Sequence, residues 1–124
     1  MMTLPFHTLE GQPAPCLFVS VVSPYGAAKH RILFRLDTGA DLTAIPASSV
    51  HRLRLEPYDR RIVGDYDKRT TMMPTFRVHL RFGEFLFHDV EVVATESNSA
   101  LLGLDILNQL KVTLDGRKKM LSVE

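Results

Sequence analysis

The stretch Phe34-Arg35-Leu36-Asp37-Thr38-Gly39-Ala40-Asp41-Leu42-Thr43-Ala44-Ile45-Pro46 limits what the rest of the chain can build. Two apolar runs, Ile32 to Leu36 and Leu42 to Ile45, read as buried strands on either side of a compact Asp-Thr-Gly. So short a loop between core strands puts the Asp37 carboxylate at the mouth of the core. An unpaired carboxylate is costly to bury. Asp37 therefore calls for a partner, a ligand or a water, and the remaining sequence has to supply it.

Around this stretch the pattern is that of short strands. Residues 1–15 hold Pro5, Gly11, Pro13 and Pro15 and read as an N-terminal arm or edge strand. Residues 16–124 form the domain proper. Cys16 to Val22 and His30 to Leu36 flank the turn signal Ser23-Pro24-Tyr25-Gly26, a hairpin that delivers Asp37. Ala47 to Leu53 suits a short helix or turn, with Ser48 and Ser49 as caps.

Arg61-Ile62-Val63 and Thr71-Met72-Met73 enclose a polar tip from Gly64 to Thr70, the outline of a projecting hairpin. Phe76, Val78, Leu80 and Phe82 alternate with Arg77, His79 and Arg81, and Gly83-Glu84 fits a two-residue turn. That register sets His79 opposite His88. The apolar phase then switches to Val90 and Val92, which predicts a bulge near His88-Asp89. Ala100-Leu101-Leu102 is a third apolar run, ended by Gly103. Leu104 to Leu110 has a short helical period, and Asp115-Gly116 turns a closing hairpin. The expected fold is all-β: a small closed or barrel-like β domain with one short C-terminal helix.

Composition narrows function by exclusion. With 124 residues the chain is one domain with room for a real core. A net charge of +1 gives no field for nucleic acid or a membrane surface, and the paired basic residues Arg60-Arg61, Lys68-Arg69 and Lys118-Lys119 read as solvated turns and edges. Cys16 is the only cysteine, so no internal disulfide or thiolate cluster is possible, and it reads as a small buried hydrophobe. The N-terminus shows no signal-peptide pattern and no run is long enough to span a bilayer, which makes the cytoplasm the expected location. No Gly-x-Ser-x-Gly elbow, metal-ligand spacing or phosphate-binding glycine loop occurs. Neither metal nor cofactor is expected. The possible cross-strand pair His79/His88 lies among arginines that repel a cation.

The carboxylates remain. Most sit in polar turns where solvation explains them, whereas Leu36 and Leu42 bracket the Asp37 loop. Here the sequence resembles the retropepsin-like aspartic proteases, the retroviral enzymes and their single-domain cellular and bacterial relatives. The resemblance is carried by Leu36-Asp37-Thr38-Gly39-Ala40-Asp41, and by Leu101-Leu102-Gly103 with the short helical stretch after it. It covers most of residues 16–123.

Carboxylate catalysis of peptide hydrolysis needs one group as base toward water and another as proton donor. Two carboxylates about 3 Å apart share one proton and supply both roles. This chain has one Asp-Thr-Gly, and Asp105 lacks the Thr-Gly, so the partner of Asp37 is expected to be Asp37 of a second copy across a two-fold axis. The resemblance implies the same homodimer, acting on peptide or protein substrates with Asp37 catalytic. It also implies that Thr38 braces the two loops across the dimer, and that Gly39 and Ala40 leave room for substrate. On the same resemblance Asp41 is expected to bind substrate backbone or brace the loop, and the hairpin with Val63, Gly64, Asp65 and Tyr66 is expected to be the flap.

The flap tip departs from the glycine-rich retroviral form, and Leu104 stands where many retroviral enzymes carry arginine. Leu4-Pro5-Phe6 and Leu121-Ser122-Val123 are the stretches expected to seal the dimer. The alternative reading is a catalytically weak or inactive retropepsin-like binding or dimerisation module.

Overall fold

The structure is a computed structural model and describes residues 1–64 and 69–124. It is built on strands β1 (Met2–Pro5), β2 (His7–Leu9), β3 (Gln12–Ala14), β4 (Cys16–Val22), β5 (Lys29–Leu36) and β6 (Ala44–Pro46) in its first part. Helix α1 (Ala47–Arg52) follows, then β7 (Asp59–Gly64), β8 (Thr70–Phe82), β9 (Phe85–Thr95) and β10 (Ala100–Leu102). Helix α2 (Leu104–Leu107) and the hairpin β11 (Val112–Asp115) and β12 (Met120–Val123) complete the chain.

Seven strands form one sheet in the order β4-β5-β10-β6-β9-β8-β7, and β4 also pairs with β8. That last pairing closes six of the strands into a barrel and leaves β7 on its outside. Alternation decides which side chains fill it. Leu17, Val19 and Val21 of β4 are fully buried, as are Phe34, Val78, Leu80 and Val92 from the strands around it. The intervening positions of β4 and β8 face outward.

The Phe82–Phe85 hairpin turns through Gly83 at φ +55, a conformation in which a Cβ is strained. Its register shifts between Val78 and Leu80, and the phase change is absorbed at Asp89, at φ +50. There the Asp89 backbone N–H donates to His79 Nδ1 at 3.1 Å, and the His79 and His88 rings meet edge to face at 5.0 Å.

Several expectations change in detail. Helix α1 has no side-chain cap: Pro46 precedes it, and the buried Ser49 hydroxyl instead meets His30 Nδ1 at 3.3 Å. Helix α2 stops at Leu107 rather than Leu110. The Gln109 and Leu110 N–H groups bond to Ile106 and Leu107 three residues back, a tighter winding than an α-helix. The last hairpin turns over Gly116 to Lys119, with Lys119 at φ +54 and the Lys118 N–H held by Asp115 Oδ1 at 2.9 Å.

The terminal stretches expected to seal a dimer pair with one another. Strand β1 lies antiparallel to β12 of the same chain, from Met2 opposite Val123 to Pro5 opposite Met120. The sheet β1-β12-β11 packs Leu121 and Val123 into the barrel core.

Candidate active site

Strand β10 lies between β5 and β6, parallel to the first and antiparallel to the second. The loop from Asp37 to Thr43 must therefore arch across the end of β10. Gly103, the next residue of that chain, runs directly beneath it. A Cβ on Gly103 would sit 2.8 Å from Ala40 O and 2.9 Å from Leu42 O. Only glycine permits so close an approach, which gives Leu101-Leu102-Gly103 its structural meaning.

Hydrogen bonds from main-chain N–H groups tie the arch to the chain below it. The Asp37 N–H donates to Leu102 O at 3.0 Å, and the Gly103 N–H donates to Thr43 Oγ1 at 3.1 Å. Leu104 and Asp105 N–H groups donate to Ala40 O and Asp41 O at 2.8 and 3.2 Å.

The Asp37 carboxylate accepts the Gly39 N–H on Oδ1 at 2.8 Å. A side chain on Gly39 would press on that oxygen, 3.2 Å from the would-be Cβ. Asp37 is half-buried, Thr38 and Asp41 are exposed, and Ala40 is half-buried beside them. The loop opens into a cleft of about 480 Å³, which Asp37, Gly39, Ala40 and Asp41 line on one side. Opposite them stand Ile62, Val63 and Gly64 of β7 and Met73 of β8, and Leu101 lies between. Thus the structure brings Asp37, Gly39, Ala40, Asp41, Val63, Gly64 and Leu101 to one cleft, Thr38 is not among its lining residues, and Asp65 and Tyr66 lie outside the described residues. Leu102 is in the core and Gly103 is buried under the loop.

A family model described as gag-polyprotein putative aspartyl protease matches residues 27–109, a span that contains the arch, the β7–β8 hairpin and Gly103. The chain belongs to this retropepsin-like family. Among solved structures, EIAV protease complexed with the inhibitor HBY-793 is similar at 18% identity, with a TM-score of 0.63, over 83% of this chain and 93% of that one. A retropepsin-like aspartic protease from Rickettsia conorii is similar at 18% identity, with a TM-score of 0.62, over 97% and 88%. Comparison with curated proteins found no match.

Against the family pattern, the bracing of the loop is the part that sequence reasoning missed. Asp105, which lacks the Thr-Gly of the Asp37 loop, is engaged by Thr43. Its Oδ1 accepts the Thr43 hydroxyl at 2.8 Å, and its Oδ2 accepts the Thr43 N–H at 3.1 Å. Thr43 is completely buried, so this two-point contact satisfies polar groups that would otherwise be costly. Asp41 makes no ion pair among the described residues, and the arch is held by Asp105 instead. The available signal was an acidic residue in the first turn of a helix just after Gly103.

Strand β7 of this retropepsin-like domain has its own tether. Arg61 of β7 pairs with Glu91 of β9 through Nη2–Oε1 at 2.6 Å and Nε–Oε2 at 3.2 Å. The buried Thr75 hydroxyl donates to the same Glu91 Oε2 at 2.7 Å. The hydrogen bonds from Arg61 first and Thr75 second hold the Glu91 carboxyl below its ordinary range. A carboxylate with a depressed folded pKa stabilises the fold above its unfolded value and loses that contribution as pH falls through the folded one. The tether therefore persists into mildly acidic solution. Hydrogen-exchange protection of the Arg61–Val63 amides should hold from neutral pH down to the ordinary glutamate range and fall only below it. In Glu91→Gln it should already be reduced at neutral pH.

Proposed function

We propose that the protein is an aspartic endopeptidase that acts as a homodimer, with one Asp37 from each copy forming the catalytic pair. The observation that carries this is the placement of the Asp37 carboxylate. It stands at the mouth of a cleft roofed by the β7–β8 hairpin, with one oxygen fixed by the Gly39 N–H. In the dimer one ionised Asp37 takes a proton from water as the water oxygen attacks the scissile carbonyl carbon. The protonated Asp37 of the other copy gives its proton to the carbonyl oxygen. Collapse of the tetrahedral intermediate breaks the C–N bond as the amine nitrogen is protonated. The apolar side chains of Val63, Met73 and Leu101 then face an extended peptide, and the exposed Thr38 is free to brace the opposite loop.

A second reading, a binding or dimerisation module of the same fold, is favoured by the pairing of β1 with β12 inside one chain. That pairing leaves a second copy only the outer edges of β1 and β11 to join. Solution mass at acidic and neutral pH, measured together with cleavage of a peptide library, separates the two. A dimer that cleaves is the expected result, a stable monomer under both conditions overturns the first reading, and a dimer that cleaves no peptide selects the module.

Ala40 tunes the pair. It has no hydroxyl to donate to Asp37, whereas serine at this position would add a donor that favours the charged form. Ala40→Ser should therefore move the pH–rate optimum to lower pH, and a move to higher pH would count against this account.

A further inference from the structure

Away from the catalytic cleft, the outer face of the barrel carries a second groove of about 620 Å³, which shares no lining residue with the first. Strand β1 makes one wall, and the outward positions of β4, β5 and β8 make the floor. Their register places unlike chemistry in an ordered row. Ser20 of β4 lies opposite Arg31 of β5 on one side and opposite Arg81 of β8 on the other. One step along, Val22 lies opposite Lys29. Residues directly opposite in a sheet project from the same face about 5 Å apart. A small hydroxyl thus separates two guanidinium groups, with an ammonium beside them.

The Arg31 guanidinium lies over the Phe18 ring at 3.9 Å, so its flat face is packed and its N–H edge is free to bind. Arg31, Arg81 and Lys29 are exposed and form no ion pair among the described residues, and neither aspartate nor glutamate lines the groove. Like charges gathered without a counter-ion repel one another. The same arrangement is favourable once an anion enters. Met2 and Leu4 on the β1 wall supply an apolar counterpart.

We propose that this groove docks an extended segment of a partner protein in which carboxylates alternate with large apolar residues. Its carboxylates seat on Arg31 and Arg81 in forked hydrogen bonds. Its apolar side chains rest on Met2 and Leu4 of the β1 wall. An extended strand sends alternate side chains to opposite faces, which matches a cationic floor beside an apolar wall. Nucleic acid fits less well. The chain is nearly neutral overall, and the one exposed ring on the floor already has its face covered by Arg31.

The test reads binding alone. A fluorescein-labelled heptapeptide alternating glutamate with leucine and phenylalanine is titrated with the full chain at neutral pH and low salt, and anisotropy is followed. Saturable binding is expected, weakened by salt and at least about tenfold weaker for the peptide with glutamine in place of glutamate. The double variant Arg31→Glu/Arg81→Glu should lose binding while melting like the wild type, and Arg31→Gln/Arg81→Gln provides the same readout without charge reversal. Equal binding of the glutamine peptide, unchanged binding in both double variants, or no saturable binding would overturn the proposal. Tighter binding of a single-stranded oligonucleotide than of the acidic peptide would overturn it in favour of nucleic acid.

Discussion

Asp37→Asn is expected to lower kcat for peptide cleavage by about a thousandfold or more while leaving KM close to the wild-type value. An amide is neither a base toward water nor a donor of the required acid proton, yet it nearly matches the carboxylate in size. Its carbonyl can still accept the Gly39 N–H that fixes Asp37 Oδ1 at 2.8 Å, so the loop and the cleft keep their shape. The loss should therefore appear in the chemical step rather than in binding.

A mixing experiment separates a shared site from two independent ones. If wild type and Asp37→Asn are combined at constant total protein and allowed to exchange subunits, activity should follow the square of the wild-type fraction. It should fall to about a quarter at equal amounts, because only like pairs of wild type carry both carboxylates. A linear decline would mean that one Asp37 suffices, and the two-copy mechanism would be abandoned.

Gly103→Ala should be the most damaging single-methyl change in the molecule. The new Cβ would lie 2.8 Å from Ala40 O, 2.8 Å from the Leu42 carbonyl carbon and 2.9 Å from Leu42 O. All three are backbone atoms and cannot rotate aside as a flexible side chain would. Gly103 itself sits at φ −90, so the objection is purely steric, not conformational. Relief requires lifting the arch from Asp37 to Thr43 or pushing β10 away from it, and each movement breaks some of the hydrogen bonds between them. A cost of about 3 kcal/mol follows from overpacking of this kind, and for a domain of this size it corresponds to a melting point lower by roughly 10 °C. Thermal unfolding followed by circular dichroism measures it directly. A variant that melts within about 2 °C of wild type would show that the arch can yield, contrary to the packing described.

What could be read from residue order was mostly local. The hairpin from Cys16 to Leu36 follows from apolar strands on either side of a proline–glycine turn. The bulge at Asp89 follows from a change of apolar phase between Phe87 and Val90. The Asp37 loop was legible because both of its strands are marked within thirteen neighbouring residues. Harder to read were contacts whose partners meet only through the sheet. Asp105 and Thr43 are separated by 62 positions, and Arg61 and Glu91 by 30. No periodicity links either pair. Arg31 and Arg81 escaped notice for the same reason: they belong to no run of charge and become neighbours only when β5 and β8 both pair with β4. The adjacent basic pair Arg60-Arg61, which does catch the eye, divides between opposite faces of β7. Of those two, Arg61 is engaged by Glu91.

The brace from Asp105 to Thr43 belongs wholly to one chain. In the proposed homodimer each copy would therefore bring its half of the site already braced. Little ordering of the arch would be left for that association to bring about, and abundance would become the governing variable. An enzyme assembled in this way is nearly silent when dilute and rises steeply once local crowding lets copies meet, for instance when many are tethered within a common assembly. The protein would act as a density gauge, converting the number of chains in a small volume into a burst of cutting.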